Sequence, residues 1–292
     1  MTDSSATILS SFSSALAELV TRTKPAIVSV HSRRLRASGF VWKPGLIVTA
    51  DEALADEGEV SIKLADGTTR SASIAGRDHT TDIALLRFED KNIAPVALSS
   101  VVPELGSLSV VVAAEHGVPT AALGTVSLVG GRWRSLRGGE IDARIELGVR
   151  LRHSHEGGLA LTASGEVIGM AVEGVRRVLV IPSATIGRIA GRLETHGRIA
   201  RGYLGVGLQP VKLDDDGIGA MVMSLDKSGP SAAAGIRQGD IIVGWNGEKL
   251  SGVRALLRAL GPDSVGSVVD VTIRRGGEPV QVKLTIGERA DA

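Results

Sequence analysis

Short runs of apolar residues separated by turn residues make up most of this chain, and this pattern predicts strands more often than helices. The N-terminal third predicts six strands: Ala26–His31, Gly39–Trp42, Leu46–Thr49, Val60–Leu64, Arg70–Ile74 and Ile83–Phe88. Turn signals such as Pro44-Gly45 and Asp66-Gly67 separate them at short intervals. Closely spaced short strands of this kind are typical of a small antiparallel barrel.

The next part of the chain repeats the pattern and predicts a second all-β lobe of similar size. Its expected strands are Leu108–Ala113, Ala122–Val129, Ala143–Ile145, Leu159–Leu161, Val167–Val172 and Val178–Ile181. Apolar residues at helical spacing predict one helix at Phe12–Val20, which should end before Pro25. A second helix is expected at Pro182–His196, with Ser183 as its N-terminal cap and Gly197 as its C-terminal stop.

A change in composition after residues 197–200 marks a separate module at Arg201–Gly287. Two helices are expected in it, at Gly229–Gly235 and Val253–Leu260. An acidic turn and four strands complete the module, and they are expected at Asp214–Gly219, Ala220–Ser224, Gly239–Asn246, Val268–Arg274 and Val280–Ile286. Strands that enclose two helices in a module of this size are typical of a PDZ domain.

Composition and charge exclude several classes of function. The 292 residues carry 33 basic and 32 acidic side chains without a long basic run, so nothing favours nucleic-acid binding. The absence of Cys excludes disulfides, thiolate metal sites and a Cys nucleophile. No apolar stretch reaches membrane-spanning length, and the residues before Arg22 lack the basic start of a signal peptide. We therefore expect no membrane partner and a cytoplasmic protein as written, or a periplasmic one if a further segment precedes this chain.

Three stretches give the chain a family resemblance. Leu151–Val172 contains a Gly-Gly pair, an apolar run, a turn and a second apolar run, and it resembles the nucleophile loop and following hairpin of HtrA/Deg serine proteases. The segments Arg201–Val206 and Ser231–Ile242 are similar to the PDZ domains of the same family. The resemblance implies a mainly β fold, with a two-lobed chymotrypsin-like double β-barrel followed by one PDZ domain. Its implied parts are an N-terminal helical segment at 1–24, a protease-like domain at 25–196 and a PDZ domain at 201–287.

The same resemblance locates the positions of the family's catalytic triad. Glu52 falls on the general-base His, Asp82 matches the Asp, and Glu156 falls on the nucleophilic Ser. The loop that would supply the oxyanion hole contains Ser154, His155 and Glu156. Acyl transfer needs a hydroxyl whose proton passes to an imidazole held by a carboxylate. Because only the Asp is retained, we expect no catalytic residues and no serine-peptidase activity.

Two other interpretations of these positions stay open. A relocated triad would use one of His79, His116, His153 and His155, although surface or loop positions explain these histidines as well. Alternatively, the carboxylates of the three triad positions converge, and either one keeps its proton or the cluster binds Ca²⁺, Mg²⁺ or Mn²⁺. An atypical carboxylate hydrolase or endopeptidase would then be possible. The pattern favours carboxylates splayed into solvent, so the expected metal and cofactor content is none.

The PDZ-like module carries the expected binding function. In PDZ domains an extended peptide adds a strand to a sheet edge, and its terminal carboxylate lies in a nest of backbone N–H groups. The resemblance implies a site made of Tyr203, Leu204, Gly205, Val206, Leu208, Val253 and Leu257. We therefore expect an inactive adaptor, chaperone or regulatory subunit in protein quality control that binds protein C-termini or unfolded peptides. Family members commonly form trimers, so Phe12–Val20 is expected to contribute to a homo-oligomer, or to a mixed oligomer with an active homologue.

Overall fold

Two closed six-stranded β-barrels form the larger of the two units into which the chain divides, Met1–Ile199 and Ala200–Ala292. The computed structural model describes residues 2–56, 58–174, 177–213, 217–261 and 264–288, with side chains from residue 7 onward. The mainly β architecture expected from the sequence is confirmed. The predicted acidic turn at Asp214–Gly219 falls partly outside the described residues.

The first barrel closes in the order β1-β2-β3-β6-β5-β4, with every pairing antiparallel. Its strands are β1 (Ile27–Ser32), β2 (Leu35–Lys43), β3 (Leu46–Thr49), β4 (Val60–Lys63), β5 (Thr69–Asp78) and β6 (Ile83–Arg87). All six lie where the apolar runs predicted them, and β2 and β5 extend several residues further than expected. Aliphatic side chains such as Ile47 and Leu85 are fully buried inside, with Phe40 as a large aromatic among them.

The second barrel closes in the order β11-β14-β13-β12-β7-β8. Its strands are β7 (Leu108–Glu115), β8 (Val118–Gly130), β11 (Arg144–Leu147), β12 (Gly158–Thr162), β13 (Val167–Glu173) and β14 (Val178–Pro182). Between β8 and β11 lies a short hairpin that the sequence did not predict, β9 (Trp133–Arg134) with β10 (Glu140–Ile141). Each fully buried aliphatic side chain in these barrels stabilises the fold by roughly 1.5–3 kcal/mol.

Helices flank the barrels at both ends of this unit. Helix α1 (Thr2–Thr23) starts well before the predicted Phe12, and two single turns of 3₁₀ helix lie at Lys24–Ala26 and His153–His155. Helix α2 (Ser183–His196) ends at Gly197, whose φ of 72° lets its N–H bond to the carbonyl of Leu193, as predicted. The predicted Ser183 cap is wrong, because Ser183 lies inside the helix and its hydroxyl donates to the Val167 carbonyl instead.

The second unit is a five-stranded sheet in the order β16-β17-β18-β20-β21, with β19 added beside β18 and a separate β15-β22 pair. Its strands are β15 (Gly202–Tyr203), β16 (Val206–Lys212), β17 (Ile218–Leu225), β18 (Ile241–Trp245), β19 (Glu248–Lys249), β20 (Val268–Arg275), β21 (Glu278–Thr285) and β22 (Gly287–Glu288). Helices α3 (Pro230–Ala233) and α4 (Val253–Ala259) complete it, close to their predicted positions. Strand β16 forms one edge of the sheet, and α4 lies against that strand.

No helix in the described part of the chain combines the length and the apolar character needed to cross a membrane.

Candidate functional site

Asp82 lies in the turn between β5 and β6 and is held there by a network centred on Asp78. The buried Asp78 carboxylate accepts hydrogen bonds from the hydroxyls of Thr80 and Thr81, each at 2.7 Å. Asp82 has a φ of 57°, a left-handed conformation that Asp tolerates better than most residues. Its Oδ1 atom accepts the N–H of Glu52 at 2.8 Å. The backbone amide at the general-base position therefore reaches Asp82, although the imidazole is missing.

Asp82 is a partly buried carboxyl in a negatively charged environment. The pKa of Asp82 is raised to about 7, chiefly by burial and also by the charges of Glu52, Asp51 and Glu156, while the hydrogen bond from the Glu52 N–H lowers it. A carboxyl with this pKa changes its protonation state near neutral pH, which is unusual for Asp. In a functional triad the cation formed on His would offset this charge, and here that partner is absent.

The Glu52 side chain is exposed and is paired with an arginine from the second barrel. Its carboxylate lies 3.0 Å from Nη2 of Arg137, whose Nη1 donates to the His79 carbonyl at 3.2 Å. Arg137 belongs to the turn between β9 and β10. The Ser135 hydroxyl in the same turn donates to the Thr80 carbonyl at 2.5 Å. The short hairpin therefore lies against the turn that carries Asp82 and supplies the counter-ion of Glu52.

An acid–imidazole pair that the sequence analysis missed lies beside these residues. Asp51 is buried, its Oδ2 lies 2.5 Å from Nδ1 of His79, and its Oδ1 accepts a hydrogen bond from Nε of Arg77. The expectation that His79 is a plain surface residue is therefore incomplete, because its exposed ring is anchored on a buried carboxylate. No serine or threonine hydroxyl in the described part of the chain bonds to His79, so this pair is not a rebuilt triad.

The loop at the nucleophile position has the backbone of a tight turn, and the N–H groups of His155, Glu156 and Gly157 are already bonded to carbonyls. Glu156 N–H bonds to the His153 carbonyl at 3.2 Å within the 3₁₀ turn, and the Glu156 carbonyl accepts the Ser38 N–H at 2.7 Å. Gly157 has a φ of 85°, and a Cβ atom there would lie 2.1 Å from the Ser38 oxygen. The Glu156 N–H, which belongs to the loop expected to supply the oxyanion hole, is therefore bonded within the turn.

The Glu156 side chain turns towards strand β13. Its Oε1 accepts the N–H of Glu173 at 3.2 Å, and the Glu173 carboxylate lies 3.1 Å from Nδ1 of His153. Burial raises the pKa of Glu156, and the negative charges of Glu173 and Glu52 raise it further. The β12–β13 register, which pairs Gly158 with Ala171, places Glu173 opposite Glu156. Counting outward from the turn would have placed Val172 opposite Glu156, because a β-bulge between Ala160 and Leu161 shifts the register by one residue, so the local sequence gave no signal for Glu173.

The three triad positions do not bring their carboxylates together. Among the described residues, one group of three His, Asp or Glu side chains has ligand atoms within 4.8 Å of one another, and it is His153, Glu156 and Glu173. Glu52 and Asp82 are not members of that group. His155, on the same 3₁₀ turn, is partly buried, and burial lowers its pKa. Its Nε2 atom has no accessible surface and no hydrogen-bond partner among the described residues.

The second unit presents an open sheet edge beside a loop with left-handed backbone. Gly205, between β15 and β16, has a φ of 73°, and a Cβ atom there would lie 3.1 Å from the Cα of Gly229. No backbone carbonyl of the described residues accepts the N–H of Leu204 or Gly205. A loop with such N–H groups at the start of an edge strand fits the carboxylate nest of a peptide-binding domain.

The other predicted groove residues divide between the core and the surface. Leu204 is buried, while Val206, Leu208 and Val253 are partly exposed and pack against the core. On α4, Leu256 is buried and Leu257 is 60% exposed. Tyr203 places its hydroxyl 3.1 Å from the Asp226 carboxylate, which orders the loop rather than lining an apolar surface. Leu257 is therefore the residue of this set with the largest free apolar surface.

Comparisons with known proteins match one family to a part of each of the two structural units. A trypsin-like peptidase domain matches residues 37–170, and a PDZ domain matches residues 202–286. "Probable periplasmic serine endoprotease DegP-like" from Brucella suis is 31% identical over 277 residues, which are 88% of this chain and 53% of that protein. The protein of the same name from Rhizobium meliloti is 28% identical over 269 residues, or 87% of this chain and 53% of its own length. This chain spans about half the length of these curated relatives.

Solved structures share the fold across almost the whole chain. The serine endoprotease from Yersinia pestis has a TM-score of 0.74 and 24% identity, covering 94% of this chain and 98% of that one. The HtrA-type protease AlgW with a decapeptide has a TM-score of 0.73 and 20% identity, covering 94% and 99%. The chain is therefore a DegP/HtrA homologue, in which a trypsin-like peptidase domain is followed by a PDZ domain.

Proposed function

We propose that this protein is proteolytically inactive and acts as a peptide-binding adaptor, chaperone or regulatory subunit. The observation that carries the proposal is the presence of Glu52 and Glu156 where the family has its His and Ser. Glu52 has no ring nitrogen to pass a proton, and Glu156 has no hydroxyl for an ordinary acyl-enzyme cycle.

The loop geometry supports inactivity independently of the two missing side chains. The oxyanion hole stabilises negative charge with N–H groups aimed at the reacting oxygen. Here the Glu156 N–H is bonded to the His153 carbonyl, and the Glu156 carboxylate adds negative charge to the same loop. Both features oppose the charge that must develop in peptide hydrolysis.

The ligands that we propose are protein C-termini or unfolded peptides bound to the PDZ domain. The peptide would pair with the free edge of β16, and its carboxylate would accept the N–H groups of Leu204 and Gly205. Exposed Leu257 on α4 would contact an apolar side chain of the peptide. The solved AlgW complex contains a decapeptide, which makes a peptide of that length a suitable first probe.

Assembly and compartment belong to the same proposal. Helix α1 leaves Ile8, Leu9 and Phe12 exposed, and such an apolar stripe favours a contact with a further copy or with an active homologue. The cytoplasmic location expected from the N-terminal residues has no support in relatives that are named periplasmic. We therefore propose a periplasmic role in protein quality control.

A hydrolase with an atypical carboxylate site is the second candidate function. Two observations favour it: the pKa of Asp82 near 7, and the endoprotease names of the relatives. A carboxyl that titrates near neutral pH is suited to general acid–base chemistry. If the protein is such a hydrolase, cleavage needs the carboxyls of Glu156 and Asp82. The binding proposal does not need them.

The test combines a cleavage assay with a binding assay on the full chain. We expect no hydrolysis of fluorescein-labelled casein, with no difference between the wild type and Glu156→Ala. Cleavage that Glu156→Ala abolishes would establish the hydrolase instead. Binding is measured by fluorescence anisotropy with decapeptides that end in an apolar residue, each compared with its C-terminally amidated form.

The binding assay has a matched pair of variants in the second unit. Leu257 and Val268 are both exposed apolar residues, at 60% and 62% exposure, but only Leu257 lies on α4. We expect Leu257→Asp to weaken peptide binding at least about tenfold and Val268→Asp to leave it unchanged. Equal effects of the two variants, or equal binding of free and amidated peptides, would rule out the proposed groove.

A further inference from the structure

We propose that His153, Glu156 and Glu173 bind one divalent transition-metal cation, with Zn²⁺ as the ion that fits them best. Their ligand atoms lie within 4.8 Å of one another, and Nδ1 of His153 is 3.1 Å from the Glu173 carboxylate. Two separate segments supply the donors, because His153 and Glu156 frame the 3₁₀ turn and Glu173 ends β13. The proposal is independent of the peptide-binding function.

The donor set decides which ion is expected. One imidazole nitrogen and two carboxylate oxygens suit Zn²⁺, and next Mn²⁺, whereas Ca²⁺ and Mg²⁺ prefer sites made of oxygen alone. Three protein ligands leave a fourth tetrahedral position for water or an anion. In a tetrahedral Zn²⁺ site with bonds of about 2.0–2.2 Å, the ligand atoms are about 3.4 Å apart. The ligand atoms of the three residues lie within 4.8 Å of one another, so they need to move only a short distance to bind the ion.

The two outer ligands are free to close around an ion. The side chains of His153 and Glu173 are 88% and 51% exposed, so changes of rotamer cost little packing energy. Glu156 is partly buried and is held by the Glu173 N–H, which leaves it as the fixed ligand. We expect the final approach to bonding distance to come from rotations of the exposed side chains of His153 and Glu173.

The surrounding charges favour a cation at this place. Glu156 is flanked by the charges of Glu173 and Glu52, and its negative charge in turn acts on partly buried Asp82. The imidazole of His153 must be neutral to bind a metal. A divalent cation would bring two positive charges to this place and reduce the repulsion among the carboxylates.

The decisive experiment titrates Zn²⁺, Mn²⁺, Ca²⁺ and Mg²⁺ separately into the full chain without an affinity tag. Isothermal titration calorimetry and thermal melts are the readouts. We expect one Zn²⁺ per chain and a higher melting temperature, with Mn²⁺ weaker. His153→Ala and Glu156→Gln should each weaken Zn²⁺ binding at least about tenfold, and neither should lower the melting temperature of the metal-free protein.

The matched control is His196→Ala, which removes an exposed histidine from the end of α2 in the same unit. This variant should bind Zn²⁺ as the wild type does. No Zn²⁺ binding at about 1 mM metal, a weak interaction by the energy scale of binding, would overturn the proposal. Equal losses of Zn²⁺ affinity in His153→Ala, Glu156→Gln and His196→Ala would also overturn the proposal. A preference for Ca²⁺ or Mg²⁺ that depends on Glu52 instead of His153 would overturn it as well. If a variant melts lower without metal, Glu173→Gln, at an exposed position, takes its place.

Discussion

At the scale of single residues, the burial of a carboxyl at the old triad position has a measurable effect on stability. Asp82 has a pKa of about 7 in the folded chain and an ordinary value of 3.8. Between these two values the folded state binds more protons than the unfolded state, so the contribution of Asp82 to stability falls as pH rises. The sign is the reverse of that for a carboxylate in an ion pair.

We predict that Asp82→Asn stabilises the protein at pH 8 and has little effect at pH 4. Asn keeps the oxygen that accepts the Glu52 N–H but carries no charge. The resulting difference in the free energy of unfolding between variant and wild type is at most about 4 kcal/mol. Urea unfolding of both proteins across this pH range measures it, with Glu89→Gln at an exposed position as the control. A difference that does not change with pH would show that Asp82 is ionised throughout.

Sequence reasoning could assign the triad positions but not the partners of their side chains. Glu52, Asp82 and Glu156 were located by the residues around them in the chain. The Asp51–His79 pair was missed because it depends on how the loop after β3 lies against β5, which no local pattern encodes. The Arg137–Glu52 pair was missed for a similar reason, since it joins the two barrels.

At the scale of elements, apolar alternation was a reliable guide wherever a strand has a buried face. Strand β3 was predicted with its observed bounds, and the strands of both barrels were found. The β9–β10 hairpin was missed because its strands are two residues each, which is too short for an alternating pattern to be seen. The start of α1 was missed because Ser interrupts its apolar residues and Ile8 and Leu9 remain exposed.

An ion pair in the second unit joins the segment after α3 to strand β20. Nη2 of Arg275 donates to Asp240 at 2.8 Å and to the Gly235 carbonyl at 2.7 Å, and Nε donates to Asp240 at 2.9 Å. The hydrogen bond from Arg275 lowers the pKa of the buried Asp240. Asp240 therefore contributes stability above its unfolded pKa, and this contribution is lost as pH falls through the lower folded value.

We predict that Asp240→Asn destabilises the second unit at pH 7 by more than the loss of an exposed ion pair would, because Asn removes the charge and one of the two oxygens with which buried Asp240 accepts the hydrogen bonds of Arg275. The loss relative to wild type should shrink at acid pH, where the wild-type Asp240 is also protonated. Glu194→Gln removes the more exposed pair between Lys43 and Glu194 and should cost less than about 1 kcal/mol. Hydrogen exchange of the β18 and β20 amides shows whether the loss of stability lies in the second unit. Equal losses of stability in Asp240→Asn and Glu194→Gln would contradict the prediction.

At the scale of the whole molecule, the fold could be predicted while the assembly could not. The order of apolar runs and turns fixes two barrels and a third module without any knowledge of partners. Oligomerisation depends on which apolar side chains remain exposed after folding, and that is a property of the surface. Helix α1 buries Leu19 against the barrel core and leaves Ile8, Leu9 and Phe12 uncovered.

We predict that the full chain is an oligomer and that Phe12→Asp reduces its mass towards that of the 30.2 kDa monomer. A buried charge without a partner would oppose the contact that the apolar stripe favours. Light scattering after size-exclusion chromatography measures the mass, and Val118→Asp, at another exposed apolar position, is the control. A monomeric wild type, or an equal shift in both variants, would leave α1 without a role in assembly.

The glycine at the nucleophile loop bears on how such chains are classified. Gly157 and Gly106 have similar φ angles, yet a Cβ atom at Gly106 would meet nothing within 4 Å, whereas at Gly157 it would collide with the Ser38 oxygen. The requirement for Gly157 is thus one of space and backbone geometry, and it holds whichever residue stands at position 156. A motif search that scores this glycine would therefore take a structural requirement as evidence of a peptidase. The residue that distinguishes active from inactive homologues is the one just before it, which is Glu156 in this chain.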